Sequence, residues 1–221
     1  MVDLARMKAT VPIVLLAVFS AASPGQQAPS RPAPDSPSND LGFTYSVPKG
    51  WELLDTPATL AQQQAEASQS AASEEEKKGV ACLQPVLMAR DQNSGSILFV
   101  EALPFGCFGH AMTSEDLPGF TAAAPEVLKQ SFDVGDPVHV TYALGTHNMW
   151  IERARATLKN HPEVPFTVEI TCGLLKKAAV CWMAVAGNDD ALHAFESAAV
   201  TLDGETVNAL VPPTAFAKKP S

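Results

Sequence analysis

Residues 166–186, FTVEITCGLLKKAAVCWMAVA, decide how this chain folds. Phe166, Val168, Ile170 and Cys172 alternate with Thr167, Glu169 and Thr171, which is the period of a strand. A second apolar run, Ala178 to Ala186, follows at once. If Lys176 and Lys177 form a two-residue turn, residue i on one strand faces residue 353 − i on the other, so Cys172 meets Cys181, Ile170 meets Met183 and Val168 meets Val185. All six then share one apolar face, which a slip of one residue would destroy. Adjacent strands joined so tightly must be antiparallel, since a parallel crossover needs a dozen residues or more.

The same pattern extends outward. Val138, Val140, Tyr142 and Leu144 alternate up to a turn at Gly145-Thr146, and a longer partner runs from Met149 to Leu158. Val80 to Arg90 and Ile97 to Leu103 flank the turn-rich 91–96, a second hairpin whose Pro85 demands an edge or a bulge. Upstream, Leu41, Phe43, Tyr45 and Val47 make a short strand, and Pro48-Lys49-Gly50 turns the chain into Trp51 to Leu54. Helices are expected at 60–78, where Ala, Gln and Glu dominate before Gly79, and after Thr113 to Asp116 through Phe120, Ala124, Val127 and Leu128. A last helix from Asp189 carries Leu192, Phe195 and Ala199 and ends before Gly204. Runs of neighbouring strands between helices predict an α+β fold, an α/β/α sandwich with a mainly antiparallel sheet. Phe43, Tyr45, Val168, Ile170, Met183 and Val185 are expected to face helices, with Leu192 and Phe195 packed on the sheet.

The ends read differently. Arg6 and Lys8 precede an apolar run from Val11 to Phe19 and the small residues Ser20, Ala21 and Ala22, the three parts of a signal peptide over 1–22 with cleavage near Ala22. That run is too short to cross a bilayer core of about 30 Å, and no cysteine at the cleavage point offers a lipid anchor. Residues 23–40 hold five prolines among Gln, Ser and Ala and are expected to be a disordered linker. The domain is expected over 41–204, and 205–221, with Pro212, Pro213, Lys218 and Lys219, as a disordered tail.

Among 221 residues, 24 acidic side chains outweigh 15 basic ones, for a net charge of −9. Removing Asp3, Arg6 and Lys8 with the leader leaves 23 acids and 13 bases, or −10. Such a chain lacks the basic face that binding through nucleic-acid phosphates requires. No nucleophile elbow, HExxH helix, phosphate loop, calcium loop or CxxC pair occurs. None of the five histidines (His110, His139, His147, His161, His193) has a partner at metal-binding spacing. Cys107, His110 and Met112 would suit a soft metal, but they read more simply as a loop with one disulfide cysteine and two neighbours. No catalytic residue, metal or cofactor is therefore expected.

Four cysteines in an exported chain imply two disulfides; four buried free thiols are the alternative. The first hairpin register gives Cys172 to Cys181, and the second brings Cys82 opposite Phe105, close to Cys107. Arg153 and Arg155 lie on one strand, on the same face as Met149 and Ile151. Two arginines on an apolar face mark either an anion or carboxylate pocket, with both as ligand contacts, or a set of structural ion pairs.

The opening Gly42-Phe43-Thr44-Tyr45-Ser46-Val47-Pro48-Lys49-Gly50-Trp51, the order of elements and the closing helix Ala191 to Val200 together resemble the PsbP-like superfamily, which includes the DcrB-like bacterial envelope proteins. The resemblance implies an α/β/α sandwich and a non-catalytic accessory or interaction role, with another envelope protein as partner. The ion ligands of photosynthetic members have no matching residues here.

Overall fold

A computed structural model describes residues 39–54, 65, 81–107, 112–121, 128–129 and 132–216. The leader at 1–22, nearly all of the linker and the helix expected over 60–78 lie outside the described residues, except that Ala65 is helical. The elements in chain order are β1 (Phe43–Tyr45), β2 (Glu52–Leu53), β3 (Gln84–Asp91), β4 (Ser96–Pro104), α1 (Leu117–Thr121), β5 (Phe132–Val134), β6 (Val138–Leu144), β7 (His147–Leu158), β8 (His161–Leu174), β9 (Ala178–Ala186), α2 (Asp189–Glu196), β10 (Val200–Leu202) and β11 (Glu205–Val207).

Every pairing among these strands is antiparallel. The large sheet runs β2-β3-β4-β9-β8-β7-β5, with β6 also on β7, and β1-β10-β11 form a small one. Within the large sheet, β8 and β9 take the expected register: Cys172 pairs with Cys181, Ile170 with Met183 and Val168 with Val185. Pro85 sits at a bulge in β3 and beyond the reach of β2, so its missing N–H interrupts nothing.

Both faces of the large sheet are covered, which explains why β9 is buried at all nine positions. One face, here the helix face, carries Leu98, Val100, Ile151, Val180 and Trp182 against α2 and the small sheet. Phe43 of β1 meets Trp182 edge to face at 5.6 Å. The opposite face, here the disulfide face, carries Val168, Ile170, Cys172, Cys181, Met183 and Val185 against Leu117, Leu128 and Phe132. All eight residues expected in the core are buried. They divide between the faces, however: Phe43, Tyr45, Leu192 and Phe195 belong to the helix face and the other four to the disulfide face.

Two boundaries are corrected. The last helix stops at Glu196, and Val200–Leu202 is a strand that fills the gap between β1 and β11. Its β-branched Val200 and Thr201 suit a strand better than a helix end. Nor does a loose tail begin at residue 205. Asp203 and Gly204, with φ of 50° and 90°, turn the chain tightly into β11, and Leu210, Val211 and Ala215 are buried beyond it. The backbone there is tied to α2 and its exit through Leu210 N–H to Ala198 O (3.0 Å) and Val211 N–H to Glu196 O (2.9 Å).

Candidate functional site

The most concentrated charge in the interior lies on the helix face where β7 and β8 run side by side. Their register sets Arg153 directly across from Glu169, and the last turn of α2 lowers Glu196 onto the same guanidinium. Arg153 Nε donates to Glu169 Oε2 at 2.6 Å, and its Nη2 also reaches Glu169 and touches Glu196. The Phe216 ring covers the guanidinium at 4.0 Å. Side-chain exposure is 29% for Arg153, 19% for Glu196 and nil for Glu169, so the carboxylate nearest the sheet has no access to water.

One cation between two carboxylates leaves an excess of negative charge, and the group answers by holding a proton. Burial, reinforced by Glu196 and opposed by Arg153, pushes Glu169 up to about 8. Two phenols complete the surroundings. Tyr45 OH donates to Phe195 O (3.2 Å) and Tyr142 OH to Leu210 O (2.8 Å). Burial first, and the charge of Glu169 second, raise both phenols well above the ordinary tyrosine range. The cluster thus ties β7, β8, α2 and the C-terminal segment together through polar groups that face inward.

Arg155, two residues along β7, goes elsewhere. It bonds Thr167 at 2.8 Å and lies 3.7 Å from Asp189, with both charged side chains more than 70% exposed. The two arginines share a face as the alternation requires, but their charges do not converge. Arg153 is engaged by two carboxylates, while Arg155 remains at the surface.

A second polar contact joins two turns. His147 Nε2 lies 3.0 Å from Asp203 Oδ2, which also accepts Lys176 N–H at 3.0 Å, while Asp203 N–H bonds Gly42 O. A Cβ on Gly42 would stand 2.8 Å from Asp203 Oδ1, at a φ of +88°. Glycine is required there on both counts. His147 Nδ1 is buried and meets no partner among the described residues.

Both expected disulfides form. Cys82 to Cys107 spans 5.8 Å between Cα atoms, and Cys172 to Cys181 spans 4.1 Å, as a non-hydrogen-bonded cross-strand pair permits. The strand expected from Val80 begins only at Gln84: Cys82 lies before β3, in a helical stretch at 81–82, and reaches Cys107 in the turn at 105–107 without lying opposite Phe105. Cys107 gives its sulfur to this bond, His110 lies outside the described residues, and Met112 packs by Leu83, Leu103 and Ala179. Among the described residues, no three metal-ligating side chains gather.

Sequence reading missed three acids. Glu169 and Glu196 were invisible as partners because only the fold brings α2 over β8. Glu101, buried and pushed up to about 7 by desolvation, stands across from Cys181. One signal was available for Glu101, which interrupts the apolar run 97–103; Glu169 falls on the polar half of its strand's alternation with Thr167 and Thr171.

These features define the class: a disulfide-linked, mainly antiparallel β protein in which Arg153 is held by Glu169 and Glu196. No protein-family model matches the chain, and no curated protein matches it. Among solved structures it is similar to the solution structure of cyanobacterial PsbP (CyanoP) from Synechocystis sp. PCC 6803. That similarity covers 76% of this chain and 89% of the other at 11% identity, with a TM-score of 0.38. So loose a superposition transfers neither residues nor roles.

Proposed function

We propose that this chain is a secreted or periplasmic accessory protein that acts by binding another envelope protein rather than by catalysis, on an α/β/α sandwich of PsbP-like type. The observation that carries the reading is the closure of the Arg153 cluster. Arg153, the half-buried cation that offered an anion site, is already engaged by Glu169 and Glu196 and capped by Phe216. What is left for recognition is the surface. Pairing of all four cysteines supports an oxidising compartment. Among the described residues, no helix is long and apolar enough to cross a membrane.

The test is crosslinking of the tagged chain in its own envelope, followed by reconstitution of the captured pair from purified components. Recovery of one partner that rebinds in isolation is the expected result. A reconstituted hydrolase or transferase activity without any partner would overturn it. The competing reading is a small-ligand binder or enzyme with an anion pocket near Arg153 and Arg155, of which Arg155 is the one exposed to a ligand. It requires phosphate or acetate binding that Arg155→Ala removes.

A further inference from the structure

We infer that β6 is a self-association edge, along which two copies of this chain pair antiparallel about Thr141 and join their large sheets into one. The surface is the outer edge of the large sheet. The Gly145-Thr146 turn closes the β6–β7 hairpin at Leu144 and His147, so Leu144, Tyr142, Val140 and Val138 bond β7. The N–H and C=O groups of His139, Thr141 and Ala143 then point the other way. No hydrogen bond among the described residues takes any of them. All three residues are exposed, and Val138 beside them is 59% exposed.

Edge strands are normally kept from pairing by shortness, charge or proline. The other edge strands among the described residues follow that rule: β1 has three residues, β2 two, β5 three with Asp133, and β11 three with Glu205, while the part of β3 beyond β2 carries Pro85. β6 has seven residues, VHVTYAL, without an acid, lysine, arginine or proline. Among the described residues, it is the edge left open.

Its sequence also suits a copy of itself. With Thr141 on a two-fold axis, residue i faces residue 282 − i of the second copy. Thr141 then meets Thr141, and His139 meets Ala143, so every outward N–H and C=O finds its complement. Val140 faces Tyr142 and the exposed Val138 faces Leu144, so the apolar side chains fall on the face where each copy already packs Val140, Tyr142 and Leu144. Asp136 falls opposite Thr146 and not opposite an acid, so the chain's negative charge does not oppose this register. A partner strand of another protein would share only the backbone terms. The inference stands apart from the accessory role proposed above.

Sedimentation equilibrium on the purified, disulfide-intact chain tests it. One short strand a side is a small interface, so a dimer with a dissociation constant on the order of tens of micromolar is expected. Thr141→Lys sets two ammonium groups against each other on the axis and should weaken association by about tenfold or more. Ala143→Pro removes one outward N–H without touching the β7 ladder and should do the same. Circular dichroism and intact disulfides report whether each variant folds. Amide exchange supplies the register: in the dimer the 139, 141 and 143 amides slow down, while 140 and 142 are protected in monomer and dimer alike. A chain monomeric to about 1 mM overturns the proposal. So does a dimer indifferent to both substitutions, or one whose 139, 141 and 143 amides exchange as fast as in Thr141→Lys.

Discussion

Glu169 sits between Val168 and Ile170 on a strand buried on both faces, and its proton makes stability depend on pH in a direction unusual for a carboxylate. The folded chain holds up to about 8 a proton that the unfolded chain releases near 4.5. The unfolded state therefore binds fewer protons between those values, and stability falls as pH rises. The contribution is whole below about pH 4.5 and lost as pH climbs to about 8. Glu101 adds a similar decline that ends near 7. Urea midpoints measured from pH 4 to 9 should drop across this window, and Glu169→Gln should flatten the part between 7 and 8. A midpoint that rises through the window would show both acids ionised in the folded chain. Arg153→Met leaves two carboxylates with no cation beneath Phe216. Breaking a buried pair costs about 3 to 5 kcal/mol, reduced here to about 2 to 3 because Arg153 is partly exposed. Equilibrium unfolding at pH 8 checks that figure, and the same variant should steepen the pH dependence.

Among the elements, the hairpin of β8 and β9 was readable because one period, one turn and two cysteines agreed on a single register. Its disulfide closes a loop with a separation of 9 residues, and Cys82 to Cys107 one of 25. Chain entropy assigns about 2.5 and 3.5 kcal/mol to loops of those sizes. Replacing Cys82 and Cys107 with alanine should therefore cost about 1 kcal/mol more than replacing Cys172 and Cys181, as read from paired denaturation curves. Peptide mapping of the oxidised chain should join the same two pairs. The short strands could not be read in this way. β5, β10 and β11 have three residues each, too few for a period, and they exist because β7, β1 and β10 in turn offer them edges. The Arg153 site was half readable: alternation put both arginines on the right face, but the acids that separate them come from β8 and α2. Pro212 and Pro213 suggested a loose end, whereas the residues just before them, Leu210 and Val211, are buried in the core.

For the molecule as a whole, that C-terminal segment is structural. Deleting 208–221 removes Leu210, Val211, Ala215 and the ring over Arg153. Burial of the larger apolar side chains alone is worth about 1.5 to 3 kcal/mol each, so the truncated chain should lose about 4 kcal/mol or more and unfold at a visibly lower temperature. A truncation that leaves the midpoint unchanged would restore the loose-tail reading. The small sheet gives the molecule a timetable as well. β1 has β10 as its neighbour, and Tyr45 bonds a carbonyl 150 residues further on. A ribosome adding about 5 to 20 residues per second makes Phe43 and Tyr45 some 8 to 30 s before the strand that shelters them. Through that interval the oldest apolar segment of the domain lacks the strand it pairs with, and a holdase that protects the newborn chain has its natural target there. The fold closes only when its last strands arrive to cover its first.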